Sequence, residues 1–205
     1  MLRSSQRSQQ RDMTRARLLQ ATIDALIETG YAGATMAEVQ HRTGLSRGAV
    51  LHHFPSKTEM FTAAINQIAE TQIARLRYRT STISPGPERT MVALRALADT
   101  FLFPDFLAAL ELWVGARTDS ELHAAVVAHE RTVGRALRPV CAELFGRELA
   151  ERPGFAAAID LTLQVLRGLA LTGILRKDGE HDDALVALWA SVFPAAVGAP
   201  ASAPS

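Results

Sequence analysis

The chain has 205 residues, 48% of them apolar, enough to fill a core as one large domain or as a small one plus a larger one. Its single cysteine, Cys141, excludes an internal disulfide and suits a reducing cytoplasm, and no apolar run reads as long enough to span a membrane. The 22 Lys/Arg and 21 Asp/Glu look balanced, but residues 1–80 hold 11 against 6 and residues 81–205 hold 11 against 15, which puts positive potential on the N-terminal end.

In chain order, residues 1–11 (MLRSSQRSQQR) are basic, lack the apolar stretch of a secretion signal and read as a disordered arm. A helix is predicted from about Asp12 to Thr29, with Leu18, Leu19, Thr22, Ile23 and Leu26 on one face. Gly30 closes it, and Tyr31 is placed to pack back. Thr35 and Glu38 form a capping box that opens a second helix, and Gly44 ends that helix with a positive φ. Ser46 caps a third, short helix that runs to Phe54, where Pro55 stops it. Ser56 and Glu59 open a longer helix towards Arg79, whose end is crowded by Arg75, Arg77 and Arg79, a solvated face suited to the helix dipole. Ser84-Pro85-Gly86-Pro87 is the clearest break. The expected organisation is therefore a basic arm over 1–11, a first helical domain with connecting helix over 12–80, a second helical domain over 81–194 and an unstructured tail over 195–205.

After the break every segment reads as helix: Glu88–Leu102, Asp105–Arg117, a long one reaching Phe145, an apolar one from Phe155, and Asp182–Phe193 ended by Pro194. No strand signal and no repeat is visible, so the predicted fold is all-α.

Helix, glycine turn and helix over Thr35–Lys57 is the layout of a helix-turn-helix DNA reader. With Val50 on the buried side and Phe54 joining it, 100° per residue turns Gly48 and His52 outward, flanked by Ala49, Leu51 and His53. Gly48 lets a backbone come close. Arg47 can reach a guanine edge, His52 a base edge or phosphate, and Leu51 a thymine methyl. Thr35, Ser46 and Lys57 stand at helix starts, where hydroxyls, amides and an ammonium suit phosphate oxygens.

Those residues also resemble a known family. Ala21, Gly30-Tyr31, Thr35, Val39, Gly44-Leu45-Ser46, Gly48, His53-Phe54 and Lys57 resemble the DNA-binding domain of the tetracycline-repressor (TetR) family of bacterial transcription regulators, over residues 14 to about 65. Leu51 stands where the family has a tyrosine that touches phosphate, and Gln40 and Thr43 stand where it has alanines. The resemblance implies an all-helical C-terminal domain that dimerises and binds an effector. Glu111-Leu112-Trp113 followed by Ala116-Arg117-Thr118-Asp119 is similar to some members.

The expected function is a repressor, a homodimer on a palindromic double-stranded operator, released by a small-molecule effector. Residues Phe101, Phe106, Trp113, Arg117, His129 and Arg167 are candidates for the effector site, with ordinary core as the alternative for the aromatic ones and an ion pair for Arg167. The helices Ala156–Leu175 and Asp182–Val192 are expected to pair with their copies through Leu163, Leu166, Ala170, Leu185, Leu188, Trp189 and Val192. The adjacent His52 and His53 point about 100° apart, which does not suit one metal ion, and neither a metal nor another cofactor is expected. An enzyme would need paired carboxylates, a nucleophile with its base, or a phosphate-binding glycine loop, and none stands at useful spacing. A helical adaptor would not need Gly48 and an outward polar strip.

Overall fold

The computed structural model describes residues 2–102, 104–175 and 180–198, with side chains from residue 6 onward except those of 102 and 180–182. Ten helices and no strand occur among the described residues: α1 Leu2–Gly33, α2 Met36–Thr43, α3 Arg47–His53, α4 Lys57–Thr80, α5 Arg89–Leu102, α6 Pro104–Gly115, α7 Ser120–Phe145, α8 Arg147–Ala150, α9 Phe155–Gly173 and α10 Glu180–Gly198. They form two compact units, Met1–Glu70 with Pro104–Val133, and Thr71–Phe103 with Gly134–Ser205.

Local punctuation sets the helices of the first unit. Thr35 Oγ1 accepts from the Glu38 amide at 3.1 Å and Ser46 Oγ from the Ala49 amide at 3.3 Å, so both caps satisfy donors that a helix start leaves open. Gly44 adopts φ 66° and its amide donates to the Gln40 carbonyl, ending α2 in the left-handed region that glycine enters without penalty. Thr43 and Gln40 replace the alanines of the resemblance without strain: the Thr43 hydroxyl, fully enclosed, donates to the Val39 carbonyl at 2.7 Å. The apolar sides of α1 to α4 close on a shared core that includes Leu18, Leu26, Val39, Val50, Phe54 and Phe61.

That core does not stop at the proline-glycine break. Phe106, Ala108 and Leu112 of α6 and Leu122 and Val126 of α7 belong to it. Compactness thus divides the chain differently from the expected boundary at 80/81, because a small three-helix core gains apolar cover from α6. The second unit has its own core, in which Phe145 and Phe193 stack at 4.6 Å and Phe155 packs edge-on against both. Cys141 is fully buried there, and burial pushes its thiol up to about 12, which leaves it an apolar filler.

Four expectations are corrected. The arm over 1–11 is helical from residue 2, the N-terminal extension of α1. Its Gln, Arg and Ser carry no helix breaker, and a segment that continues an existing helix has no nucleus to form. The tail expected from Ala195 is helical to Gly198. Pro194 removes a backbone bond, but Phe193 and Val197 are both fully buried and the Gly154 amide donates to the Val197 carbonyl. Residues 199–205 lie outside the described ones. A short helix, α8, stands where none was predicted. Finally, α9 is long and apolar enough by composition to cross a membrane, contrary to the reading that no run is. Its Phe155, Ala158, Ile159, Thr162 and Leu166 are buried within the second unit, so one face of it belongs to that core.

Candidate nucleic-acid interface

Seven residues make α3, with Val50 as its buried anchor and Phe54 as its C-cap. The opposite side is open. Arg47, Gly48, Leu51 and His52 are exposed, and Ala49 and His53 are half-buried. A Cβ added at Gly48 would meet nothing within 4 Å, so the surface there is flat backbone that a groove edge can approach closely. Leu51 is 38% exposed, an apolar side chain at the centre of the strip. Thr35, Arg47 and Leu51 share the rim of a recess of about 340 Å³ between α2 and α3.

The cap hydroxyls suit a double task. Each uses an oxygen lone pair to accept from a helix amide, which leaves its O–H to donate to a phosphate. Arg47 has neither an ion pair nor a hydrogen bond among the described residues, whereas Arg42 on α2 is neutralised by Glu28 at 2.9 Å and Glu38 at 2.7 Å. The cation available on the reading side is therefore Arg47. Burial, followed by the charges of His52, Arg11 and Arg15, holds His53 below its ordinary value, so it stays neutral at neutral pH.

Lys57 departs from expectation. Its ammonium lies 4.2 Å from the Tyr31 ring centroid and 5.0 Å from that of Phe61, and donates to the Tyr31 carbonyl at 3.4 Å. Burial lowers its pKa, opposed by Asp119. The side chain is a cation–π strut inside the unit rather than an outward phosphate ligand.

Lys57 belongs to a cluster that sequence reasoning did not assemble. Tyr31 donates its hydroxyl to Asp119 Oδ2 at 2.7 Å and its amide to Glu111 Oε2 at 2.9 Å. Burial and then the Asp119 bond raise the phenol to about 12. Asp119 is held below its usual range by the Leu122 amide and then by the Tyr31 hydroxyl. Gly30, at φ 68°, makes the approach possible, since a Cβ there would lie 2.9 Å from Glu111 Oε2. A Cβ at Gly115 would lie 2.5 Å from the Tyr31 ring. The end of α1, and with it the entry to α2, is thereby fastened to α6 and to the start of α7. The signal available beforehand was the pair of acids in the Glu111 and Asp119 motifs, opposite Gly30-Tyr31.

The effector candidates are distributed over both units. Phe106, Trp113, Arg117 and His129 belong to the first, Phe101 and Arg167 to the second. Phe106 and Trp113 meet edge to face at 5.8 Å. Arg117 is exposed. His129, buried in α7, donates from Nδ1 to Asn66 Oδ1 on α4 at 2.6 Å, and burial holds its pKa below 6.5. Phe101 packs against the second core, and Arg167 is half-buried on α9. A cleft of about 480 Å³ in the second unit is lined by none of these but by Gln72, Arg75, Leu76, Tyr78, Arg79, Asp99 and their neighbours. Its trace in the sequence was the arginine-rich end of α4, read above as a solvated face. Of the expected dimer residues, Leu188 and Val192 are exposed, Leu163, Ala170, Leu185 and Trp189 are half-buried, and Leu166 is buried in the core. Trp189 Nε1 donates to the buried Thr162 hydroxyl at 2.8 Å, so its indole serves the fold.

A short capped helix presenting arginine, bare backbone and an apolar contact, preceded by a second capped helix across a glycine turn, defines a helix-turn-helix DNA-binding protein. Residues 18–64 match the family described as bacterial regulatory proteins, tetR family. The chain is 33% identical over 172 residues to the transcriptional regulator CymR of Pseudomonas putida, covering 82% of this chain and 83% of that one. It belongs to the TetR family of transcriptional regulators. A transcriptional regulator from Rhodococcus sp. Rha1 superposes with a TM-score of 0.62 at 25% identity, covering 90% of this chain and 94% of that one. FadR of Bacillus subtilis, in complex with stearoyl-CoA, shares the fold with a TM-score of 0.67 at 13% identity, over 90% and 98% of the two chains.

Proposed function

We propose that this regulator is a cytoplasmic repressor that binds a palindromic operator as a homodimer and is released by a small molecule. The observation that carries the DNA-reading part is the exposed strip of α3. Arg47 reads a base edge, Leu51 and Ala49 take apolar contacts, His52 reaches a base or phosphate, and Thr35 and Ser46 hold phosphates. The homodimer rests on the apolar surface of α9 and α10, where Leu161, Leu171, Leu188 and Val192 stand exposed. Side chains of that kind on neighbouring helices are covered by a second copy in a four-helix bundle. Two α3 helices then enter successive major grooves about 34 Å apart.

The effector reading is supported by the cleft on α4 and α5, whose volume of about 480 Å³ suits a small organic ligand. FadR's stearoyl-CoA gives the fold a precedent for holding one. A ligand here acts only through unequal affinity for the DNA-competent and DNA-incompetent arrangements, and α4, which runs from the reading unit into this cleft, is the natural lever. The chain is not expected to carry a catalytic activity. Selection of duplexes from a random pool by the full-length protein tests the proposal. Enrichment of one inverted repeat whose binding weakens steeply with salt is the expected result, and a pool that stays random would overturn it.

A further inference from the structure

The N-terminal extension of α1 has a composition and a placement that the helix-turn-helix alone does not use. Residues 6–13 are exposed throughout. Arg7, Arg11 and Arg15 recur every four residues, so at 100° per residue they lie within about 80° of one another and form one stripe. Asp12 is the only acid before Asp24. Like charges at this spacing repel and weaken the helix that carries them, an arrangement that an anionic partner relieves.

The stripe is also aimed. Its inner end is fixed at the reading helix, because the Arg15 guanidinium sits 5.3 Å from the centroid of Phe54, the C-cap of α3. Arg11 and Arg15 both act on the charge of His53 in α3. Two residues further along α1, Arg17 donates to the carbonyl of Thr43, the last residue of α2. The stripe therefore begins at the helix-turn-helix and runs outward. Arg7 to Arg15 spans about 12 Å of helix axis, the rise of about three to four base pairs. Leu51, in the middle of the reading strip, offers a phosphate no polar atom, so backbone contacts beyond those of Thr35, Ser46 and His52 have to come from outside α3.

Resting on the DNA-reading function proposed above, we infer that Arg7 and Arg11 hold phosphates of the duplex flanking the half-site read by α3. The N-terminal end of α1 thus lengthens the operator footprint without reading bases.

The test compares the full-length parent with the double variant R7A/R11A. Alanine keeps the helix, and both positions are exposed. Binding is followed by fluorescence anisotropy on the duplex selected by the parent, in one version extending about one helical turn beyond each half-site and in another trimmed to the half-sites. The salt slope of the variant should fall by about two per chain, which is on the order of tenfold less loss of affinity per chain between about 50 and about 200 mM salt. The parent should prefer the long duplex and the variant should not, while base preference stays the same. A charge control, R131A/R138A, should keep the parent's slope; if it loses as much, the effect is net charge and the proposal falls. An unchanged slope in R7A/R11A while the parent still binds its operator overturns the footprint and leaves the DNA-reading function standing. A parent that selects no sequence overturns both. A changed sedimentation coefficient in R7A/R11A would assign the stripe to subunit pairing and overturn it as well.

Discussion

The two compact units differ most in what they leave exposed. Around α1 to α3 the open positions include Arg7, Arg11, Arg47 and His52, with Met13 and Leu51 as separate apolar members. On α9 and α10 they include the apolar Leu161, Leu171, Leu188 and Val192. A polar, positively charged surface can wait in water for a polyanion, whereas a cluster of leucines on adjacent helices asks to be covered at all times. Under the proposed function the first unit binds reversibly and the second associates durably. Internal ties follow the same division. Polar bonds fasten the first unit at Tyr31, Glu111, Asp119 and Lys57, while ring packing of Phe145, Phe155 and Phe193 holds the second.

The largest effect should come from breaking the second core. Phe193→Ala removes a fully buried ring and is expected to cost about 3–5 kcal/mol, read by urea denaturation of the full chain; a loss under about 1 kcal/mol would mean that the aromatic cluster is not what holds this unit. Next, Leu188→Arg places a charge at a position that is 60% exposed in the single chain. It should leave the monomer folded, as circular dichroism would show, and convert dimers to monomers by analytical ultracentrifugation. Dimers that persist at micromolar concentration would move the subunit contact elsewhere.

In the first unit Ser46→Ala deletes the cap of α3 and should cost about 1 kcal/mol of stability, together with some operator affinity through the lost phosphate contact. A variant with parental stability would show that tertiary packing alone holds α3. The smallest effect is a pH dependence. Burial favours the neutral form of His129 in the folded state, so its folded pKa lies below the ordinary 6.5. As pH falls through 6.5 the unfolded chain takes up a proton that the folded chain does not, and stability declines until the folded value is passed. His129→Gln should remove part of that decline between about pH 7 and the folded value; an acid limb identical to the parent's would assign it to His53 or other groups.

How far the sequence foretold each unit follows from the range of the interactions involved. The caps at Thr35, Ser46 and Ser56 and the turn at Gly44 lie within four residues of what they bond, so the spacing exposes them. The Tyr31–Asp119 bond links residues 88 apart, and no periodicity announces it. Lys57 looks from its position like any cation at a helix start; only the fold shows that two aromatic rings lie beneath it. Pro194 ends a helix by local rules, and the burial of Val197 overrules them. The arginines lining the cleft on α4 looked solvated because its other wall, Ala96, Asp99 and Thr100, is supplied by α5, across the proline-glycine break. Apolar periodicity located α9 and α10 but could not tell the inward Leu166 from the outward Leu188, since both helices are apolar nearly all round.

The central claim is that α3 reads sequence, with Arg47 as its base-contacting cation. Its most direct test is the affinity of Arg47→Ala for the selected operator and for each single-base variant of it, at one fixed salt concentration. The account predicts a loss of about 1–3 kcal/mol on the parent operator that vanishes for substitutions at a single base position, where discrimination is relaxed. An equal loss on every duplex would make Arg47 a phosphate contact and contradict the claim.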